Sequence, residues 1–535
     1  MADTAYDDSD DYSPHERRKT KTAPMSMHGM PSMDTIWDWH KQLAGMGTRY
    51  TGSDGHKTFI EWLKDKFSAV PGFELHTDPL RFQRWLAEPK DCSLSIQNPA
   101  TGLSEPVPIS YYYPYSGNTA PGGFTGRLVD LGRYEPIWYT PAFWAAATGG
   151  IALVRVPPCM FTLDFGQLPT GGFEPGQTSA DAALNYARDG LSLTNPVFQM
   201  FAPVPLLDAR NAGVLGVICV WTGMSDDQIA NQYNPMVTGY PNPEGVPKPG
   251  DHGCPALWVG ETTGDRLAAE AIGQPNVTLT LKASITANAA TETVWGVLRG
   301  SGADHERGLI VNTHTDGPNV PEENGALGLL ALAQYFAQRK RRRDLYFVMV
   351  TGHFQILQFI QDIPDARFVI GKDATSRWMT DHPAIYQNAL AGLSMEHLGC
   401  KRWADDANGQ YAWTSGYEWG ATYTTPRQGF LNPDNLEQQA YLDAVWHTNN
   451  SGAVTRPVVT LLPIPLFFGE GAPLYAGGLG TVSLCPLPSY LLQAGSRTDP
   501  KKLNLDKLDK AMIYGQIVSF ARTIRTLDEQ PASAF

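Results

Sequence analysis

A chain of 535 residues is longer than one ordinary domain, and this one is expected to form two or three. Its formal net charge of −13 leaves no pervasive basic surface, which argues against a nucleic-acid partner. The six cysteines are scattered, without a C-x-x-C pair, a pattern unlike a disulfide scaffold or a zinc finger. No apolar run is long enough to span a bilayer, so we expect a soluble protein of the cytoplasm without a membrane partner.

Residues 1–25 are polar and contain no apolar signal core, and they are predicted to form a disordered tail. Two helices are predicted next, DTIWDWHKQLAGM and KTFIEWLKDKFSAV, because their apolar residues recur at helical spacing. Further along, the pattern changes to short apolar segments separated by long loops rich in Gly, Pro and Asn: GRLVDLG, GIALVRV, GVLGVICVW and PALWVG. Residues 99–290 are therefore predicted to form an inserted, β-rich domain with its own small core.

The α/β pattern returns at residue 291. The predicted strands are ETVWGVLRG, RGLIVNT, DLYFVMVTG and ALAGLSMEHLG, with helices between them. A long amphipathic helix, LDKLDKAMIYGQIVSFARTIRTL, is predicted to close the fold. Residues 26–98 and 291–530 are thus expected to form one α/β domain, built on a mixed, largely parallel sheet flanked by helices.

Groups that bind metals or transfer protons follow two neighbouring strands of this predicted sheet. His314 and Asp316 follow the first strand, the next loop carries Glu322 and Glu323, and the second strand leads to His353. In open α/β sheets the crevice opens at the carboxyl ends of the strands, so these side chains are expected to converge.

This layout resembles the co-catalytic zinc aminopeptidase superfamily, which includes glutamate carboxypeptidase and glutaminyl cyclase relatives. GMGTRYTGSDGHKTFIEWLKDKF is similar to the opening segment of that family, with its Arg-x-x-Gly-Ser turn between two helices. FTGRLVDLG, DARNAGVLGVICVW and CPALWVGETTGDRL are similar to an inserted protease-associated domain. RGLIVNTHTDG is similar to the segment that leads to the first metal ligand. The resemblance implies the aminopeptidase-like fold for nearly everything after the polar tail.

The resemblance also implies two zinc ions and five ligands, and this chain departs from that pattern. His314 matches the first ligand, Glu323 in ENG matches the bridging Asp, and Glu396 matches the Asp of a following strand. The two remaining ligand positions fall on Phe354 and Gly495, which offer no ligand atom. The prediction is therefore a site reduced to one divalent metal on His314, Glu323 and Glu396. Such a ligand set suits zinc first, with manganese or ferrous iron as alternatives.

Four other residues are predicted to support this site. His353 matches the family's general-base Glu, and its imidazole could transfer protons near neutral pH or act as a fourth ligand. Glu470, in GEGAPL, is predicted to orient the substrate or the metal-bound water. Asp316 is expected to hold the imidazole tautomer of His314 from behind, with Glu322 also outside the ligand set.

His397 follows Glu396 directly and should face away from it if that segment is extended, so it is expected to support the site only indirectly. Aromatic residues cluster after Glu396 and suggest a strand with one aromatic face; the cluster comprises Trp403, Tyr411, Trp413, Tyr417, Trp419 and Tyr423. Core packing is the commoner explanation for such residues, and an aromatic or apolar substrate is the functional hypothesis.

These residues favour a metal-dependent hydrolase of an amide or peptide-like bond, acting on a small molecule or short peptide rather than as a general aminopeptidase. A lyase, hydratase or cyclase using the same residues is one alternative, and an inactive binding protein is another. G-x-S-x-G, G-x-x-x-x-G-K-[ST] and H-E-x-x-H motifs are absent from the sequence. A homo-oligomer is left open.

Overall fold

The computed structural model describes residues 27–98, 100–135, 139–156, 195–201, 203–234, 252–354, 374–418, 422–423 and 469–531, with single positions at 442, 445, 446 and 449. The predicted tail, residues 1–25, lies outside the described residues. The described helices are α1 (Met33–Gly45), α2 (Asp54–Ser68), α3 (Leu206–Asn211), α4 (Asp226–Ile229), α5 (Glu261–Ala271), α6 (Val320–Glu323), α7 (Gly325–Ala337), α8 (Ala374–Asp381), α9 (Pro383–Asn388), α10 (Gly471–Ala476) and α11 (Lys510–Glu529).

The described strands are β1 (Phe73–Gln97), β2 (Ser104–Val107), β3 (Tyr111–Tyr112), β4 (Phe124–Arg133), β5 (Ile151–Val156), β6 (Gly216–Trp221), β7 (Ala256–Val259), β8 (Asn276–Leu298), β9 (Leu309–His314), β10 (Leu345–Val350), β11 (Ala391–Met395), β12 (Lys401–Asp405), β13 (Tyr411–Tyr417), β14 (Thr422–Tyr423) and β15 (Thr481–Leu484). Short 3-10 helices cover Pro141–Ala147, Pro196–Phe201, Pro500–Lys502 and Leu505–Lys507.

Within the described residues, one mixed sheet of 13 strands connects nearly all of these strands. Its order is β14-β15-β11-β9-β10-β8-β4-β5-β6-β7-β3, with β1 paired to β8 and β2 paired to β1. Strands β15, β11, β9 and β10 are parallel neighbours, so their carboxyl ends lie along one edge of the sheet. The predicted α/β class, with a mixed sheet flanked by helices, is confirmed.

The long strand β8 links the predicted insertion to the rest of the sheet. Near its start it pairs with β4, where Thr278 lies opposite Thr125, and near its end it pairs with β10, where Val297 lies opposite Tyr346. The predicted boundary at residues 290 and 291 therefore falls inside one continuous strand. Strands β4 to β7 are parallel neighbours packed with helix α5, so this part of the chain is α/β rather than only β-rich. The domain limits themselves stay a prediction.

The helices begin where the sequence supplies side chains that cap them. Ser32 and Ser53 accept hydrogen bonds from main-chain amides in the first turns of α1 and α2, and Asp509 does the same for α11. Helix α7 is buried along most of its length, because its residues are apolar all round and it packs between the sheet and the outer helices. Among the described residues, no helix is long and apolar enough to cross a membrane.

Candidate metal centre

The candidate site lies where β9, β10, β11 and β15 end. In the parallel register, His314 lies beside Val350, and Met395 lies beside Leu484. The residues that follow these strand ends therefore meet at one edge of the sheet, as the sequence predicted. Most of the polar side chains that meet there are fully buried.

His314 presents one nitrogen to this cluster without a hydrogen-bond partner. Its Nδ1 lies 3.1 Å from the main-chain oxygen of Asp316. A carbonyl oxygen only accepts, so Nδ1 carries the hydrogen and Nε2 offers a lone pair. Burial lowers the pKa of His314 well below its usual value, and the neighbouring His353 and His397 add to that effect. The Nε2 atom, which has no hydrogen-bond partner among the described residues, lies 3.6 Å from Glu396 Oε2.

His397 also turns its Nε2 toward the cluster, contrary to the expectation that it faces away. Burial lowers the pKa of His397, but the charges of Glu322 and Glu396 outweigh burial and raise it above the usual value. Strand β11 ends at Met395, and His397 has a φ of 54°, so the chain turns instead of continuing extended. Its Nδ1 donates to the carbonyl oxygen of Pro486 at 2.6 Å. This leaves Nε2 3.4 Å from Glu322 Oε2 and 3.9 Å from Glu396 Oε2. The left-handed turn therefore carries the imidazole into the cluster.

The two carboxylate oxygens of Glu396 have different surroundings. Oε1 accepts hydrogen bonds from Ser394 Oγ at 3.0 Å and from the main-chain amide of Glu470 at 2.6 Å. Oε2 faces His314 and His397. Burial raises the pKa of Glu396, opposed by the charges of nearby histidines.

These buried groups have the composition of a cation site. His314, Glu322 and His397 each offer a donor atom within 4.8 Å of the others, and Glu396 borders the same space. His314 Nε2, His397 Nε2 and Glu322 Oε2 make no hydrogen bonds with the described residues. Lone pairs and carboxylate oxygens brought together away from water repel one another unless a proton or a cation lies between them. The side chains present therefore fit a divalent metal bound by imidazole and carboxylate.

Glu323 is placed differently from its predicted role. Its Oε2 accepts from the guanidinium of Arg49 at 2.7 Å, and both side chains are fully buried. Burial raises the pKa of Glu323 to about 8, and the charge of Arg49 acts against that rise. Of these two neighbouring glutamates, Glu322 is the one whose carboxylate lies beside His314 and His397, at 3.9 Å and 3.4 Å. Glu322, which the sequence placed outside the ligand set, thus lies nearer the two imidazoles than predicted, whereas Glu323 pairs with Arg49 through one oxygen and its Oε1 makes no hydrogen bond with the described residues.

Asp316 supports the site through different atoms from those expected. Its main-chain oxygen, not its carboxylate, holds the His314 ring. The carboxylate accepts from the main-chain amides of Gly352, His353 and Phe354, at distances between 3.1 and 3.3 Å. Asp316 therefore fixes the turn after β10, and that turn positions His353.

His353 is the part of the cluster that reaches solvent, with a side chain that is 29% exposed. Its Nδ1 lies 2.6 Å from Glu470 Oε1, and its ring stacks on His314 at a centroid distance of 4.2 Å. Thr375 Oγ1 donates to the other carboxylate oxygen of Glu470. Burial lowers the pKa of His353, but the bond to Glu470 and the charges of nearby carboxylates outweigh it and raise the pKa to about 10. Glu470 therefore orients and charges His353.

Neither position without a ligand atom adds one to the cluster, although Phe354 packs against it, with its ring 5.3 Å from that of His353. Phe354 is buried, with its ring 6.0 Å from that of Tyr233. Gly495 lies in a turn with a φ of 86° against Pro500.

The aromatic cluster splits into a half-buried part and an exposed part. Trp403 and Tyr411 surround the ammonium group of Lys507, whereas Trp413 and Tyr417 are 44% and 43% exposed. Trp419 lies outside the described residues, and Tyr423 is described only as part of β14. A role for these rings in substrate binding stays a prediction.

Sequence reasoning missed three residues of this site. Arg49 was visible in the Arg-x-x-Gly-Ser turn, but its buried partner was not. Thr375 follows a segment without a recognisable motif, and Cys485 looked like any other scattered cysteine. Cys485 Sγ nevertheless lies 3.8 Å from Glu396 Oε2.

The chain shares its fold, a mixed α/β sheet flanked by helices, with solved zinc aminopeptidases. The chain is similar to BSAP, a zinc aminopeptidase from Bacillus subtilis, with a TM-score of 0.57, 12% identity, and 95% of this chain and 98% of that chain covered. It is similar to an aminopeptidase from Aneurinibacillus sp. strain AM-1, with a TM-score of 0.55, 13% identity, and 95% and 97% covered.

A Peptidase M28 precursor from Shewanella amazonensis SB2B is similar with a TM-score of 0.56, 14% identity, and 93% and 98% covered. No protein-family model and no curated protein matches the chain. At these identities the likeness is one of fold, and it confirms the fold resemblance drawn from the motifs.

Proposed function

We propose that this protein is a metal-dependent hydrolase of an amide or peptide-like bond. The observation that carries the proposal is the convergence of His314, Glu322, Glu396 and His397 as buried acceptors, three of them with atoms that lack a hydrogen-bond partner among the described residues. Such an arrangement is costly unless a proton or a cation lies between these atoms, and imidazole with carboxylate is a common zinc ligand set. One divalent metal, zinc before manganese or iron, is the proposed cofactor.

When bound there, a divalent cation supplies Lewis-acid polarisation of a carbonyl group and lowers the pKa of water. The chain itself supplies the fixed geometry. Asp316 and Pro486 hold the Nδ1 atoms of His314 and His397, so both Nε2 atoms point into the site. Ser394 and Glu470 hold one oxygen of Glu396, which leaves the other oxygen for the cation.

His353 is the proposed proton-transfer residue. Its Nδ1 is occupied by Glu470, so Nε2 is the nitrogen that exchanges a proton with substrate or water. The buried carboxylate of Glu470 stabilises the imidazolium form, and Thr375 keeps that carboxylate in place. His353 is also the partly exposed member of the cluster, which suits a group that meets the substrate.

Metal content tests this proposal most directly. Protein purified without chelator should contain about one equivalent of metal, and a His314→Ala variant should lose it. His40→Leu is the matched control, because His40 is an equally buried histidine on α1. Among the described residues, its ring forms a hydrogen bond with the Ile36 carbonyl alone. A wild-type protein that binds no added zinc would leave only the non-catalytic binding function.

The reaction is tested on a panel of small amides, short peptides and esters, including aromatic amides. Hydrolysis gives two products whose summed mass exceeds that of the substrate by one water. An unsplit product would instead favour the lyase, hydratase or cyclase alternative. We propose a small-molecule or short peptide-like substrate, because the resemblance implies a glutamate base for ordinary aminopeptidases and this chain has His353 at that position.

A further inference from the structure

Cys485 is a buried thiol at the edge of the proposed metal site. It follows β15 directly, and β15 is the parallel neighbour of β11, so Cys485 lies alongside Glu396. Its Sγ is 3.8 Å from Glu396 Oε2 and 3.7 Å from His397 Nδ1. Glu396, His397 and Cys485 form a second group whose donor atoms all lie within 4.8 Å of one another.

We propose that the Cys485 thiolate is a ligand of the bound metal, beside Glu396, and that the site therefore selects a thiolate-binding cation. The inference rests on the proposed function, because it presumes that the site holds a metal. The predicted ligand set contained no sulfur.

The distances around Glu396 Oε2 support this assignment. Typical zinc distances of about 2.3 Å to sulfur and about 2.0 Å to oxygen or nitrogen place two tetrahedral ligands about 3.3–3.5 Å apart. Glu396 Oε2 lies 3.8 Å from Cys485 Sγ, 3.6 Å from His314 Nε2 and 3.9 Å from His397 Nε2. The separations to Cys485 Sγ and His314 Nε2 exceed the spacing between ligands that share one cation by about 0.3 Å, and the separation to His397 Nε2 exceeds it by about 0.6 Å.

The Cys485–Pro486 dipeptide also fixes the orientation of the His397 ring. The Pro486 carbonyl accepts from His397 Nδ1, so the nitrogen of His397 that remains for a metal is Nε2. One short segment after β15 thus sets the tautomer of His397 and brings a sulfur to Glu396.

The alternative for Cys485 is a neutral thiol that donates weakly to Glu396. In that state burial and the nearby carboxylates hold its pKa well above the usual value. Metal binding would break the S–H bond, form the metal–sulfur bond and release the proton to solvent. Thiolate favours zinc and similar borderline cations, whereas magnesium, calcium and manganese favour oxygen ligands.

X-ray absorption at the zinc edge of the wild-type holoprotein tests the proposal without a substitution. The expected result is a sulfur scatterer at about 2.3 Å. A bound zinc ion with only nitrogen and oxygen neighbours would overturn the thiolate proposal and leave the proposed function standing. A protein that binds no zinc would overturn both.

Cobalt-loaded variants give the second test. Wild-type protein with Co²⁺ should show sulfur-to-cobalt charge-transfer absorption, which Cys485→Ser should lose while it still folds by circular dichroism. Cys219→Ala is the matched control, because Cys219 is equally buried but lies within β6. Zinc affinity should fall about 100-fold or more in Cys485→Ser, since loss of an outer-shell partner alone costs about 10–100-fold. Unchanged absorption and affinity in Cys485→Ser would overturn the proposal.

Discussion

The buried pair of Arg49 and Glu323 gives the sharpest test of how this site is built. Both side chains are fully buried and their charged atoms lie 2.7 Å apart. Removing one partner of such a pair leaves an uncompensated buried charge, which costs about 3–5 kcal/mol, whereas replacing both with neutral groups of similar size costs much less. We therefore expect Arg49→Met to lose about 3–5 kcal/mol of unfolding free energy, and Glu323→Gln to lose a similar amount above pH 8.

The assay is urea unfolding at pH 9, above the pKa of about 8 for Glu323, followed by tryptophan fluorescence. The double variant should lose less than the sum of the two single losses, by at least about 1 kcal/mol. Additive losses would refute a direct interaction between the two charges.

Metal content of the same proteins distinguishes Glu323 from its neighbour. Glu323→Gln should keep its metal under conditions where it remains folded, and Glu322→Gln should lose it. The opposite pattern, a stable Glu323→Gln variant without metal, would show that Glu323 is the ligand and that the pairing with Arg49 is not its main role.

Further predictions concern pH and packing. His40 is buried, and desolvation lowers its pKa to about 4. The folded state therefore loses stability as pH falls from 6.5 toward 4, by up to about 3 kcal/mol. The urea midpoints at pH 7 and pH 4.5 should differ less in His40→Leu than in the wild-type protein. Burial lowers the pKa of Lys507 to about 7, so wild-type protein should gain stability relative to Lys507→Met as pH rises from 7 toward 10.5, and parallel pH curves would contradict this. Thr375→Val should lower kcat with little change in KM, and Thr375→Ser should restore it, because the hydroxyl holds Glu470. Gly325→Ala should lower the thermal midpoint, because a Cβ there would lie about 2 Å from neighbouring oxygens.

Local pattern was enough to predict most of the elements and the edge of the sheet where the site lies. The two opening helices and the central strands β9, β10 and β11 lie where apolar spacing placed them, and the closing helix α11 begins at Lys510, five residues after the predicted start at Leu505. His314, Glu396 and His353 follow three of those strand ends, and parallel pairing is sufficient to bring them together. These features depend on residues close to one another in the chain, so the sequence alone determined them.

The ligand geometry depended on contacts between distant residues. Glu322 and Glu323 are neighbours on one short helix, and Arg49, 274 residues from Glu323 in the chain, pairs with Glu323, while Glu322 lies beside the two imidazoles. His397 enters the cluster because β11 ends early and the chain adopts a positive φ, stabilised by the carbonyl of Pro486, 89 residues away. The local sequence of a strand or helix does not determine which distant charged group that element will contact. Only the tertiary structure therefore decided which imidazole and carboxylate atoms face the same buried space.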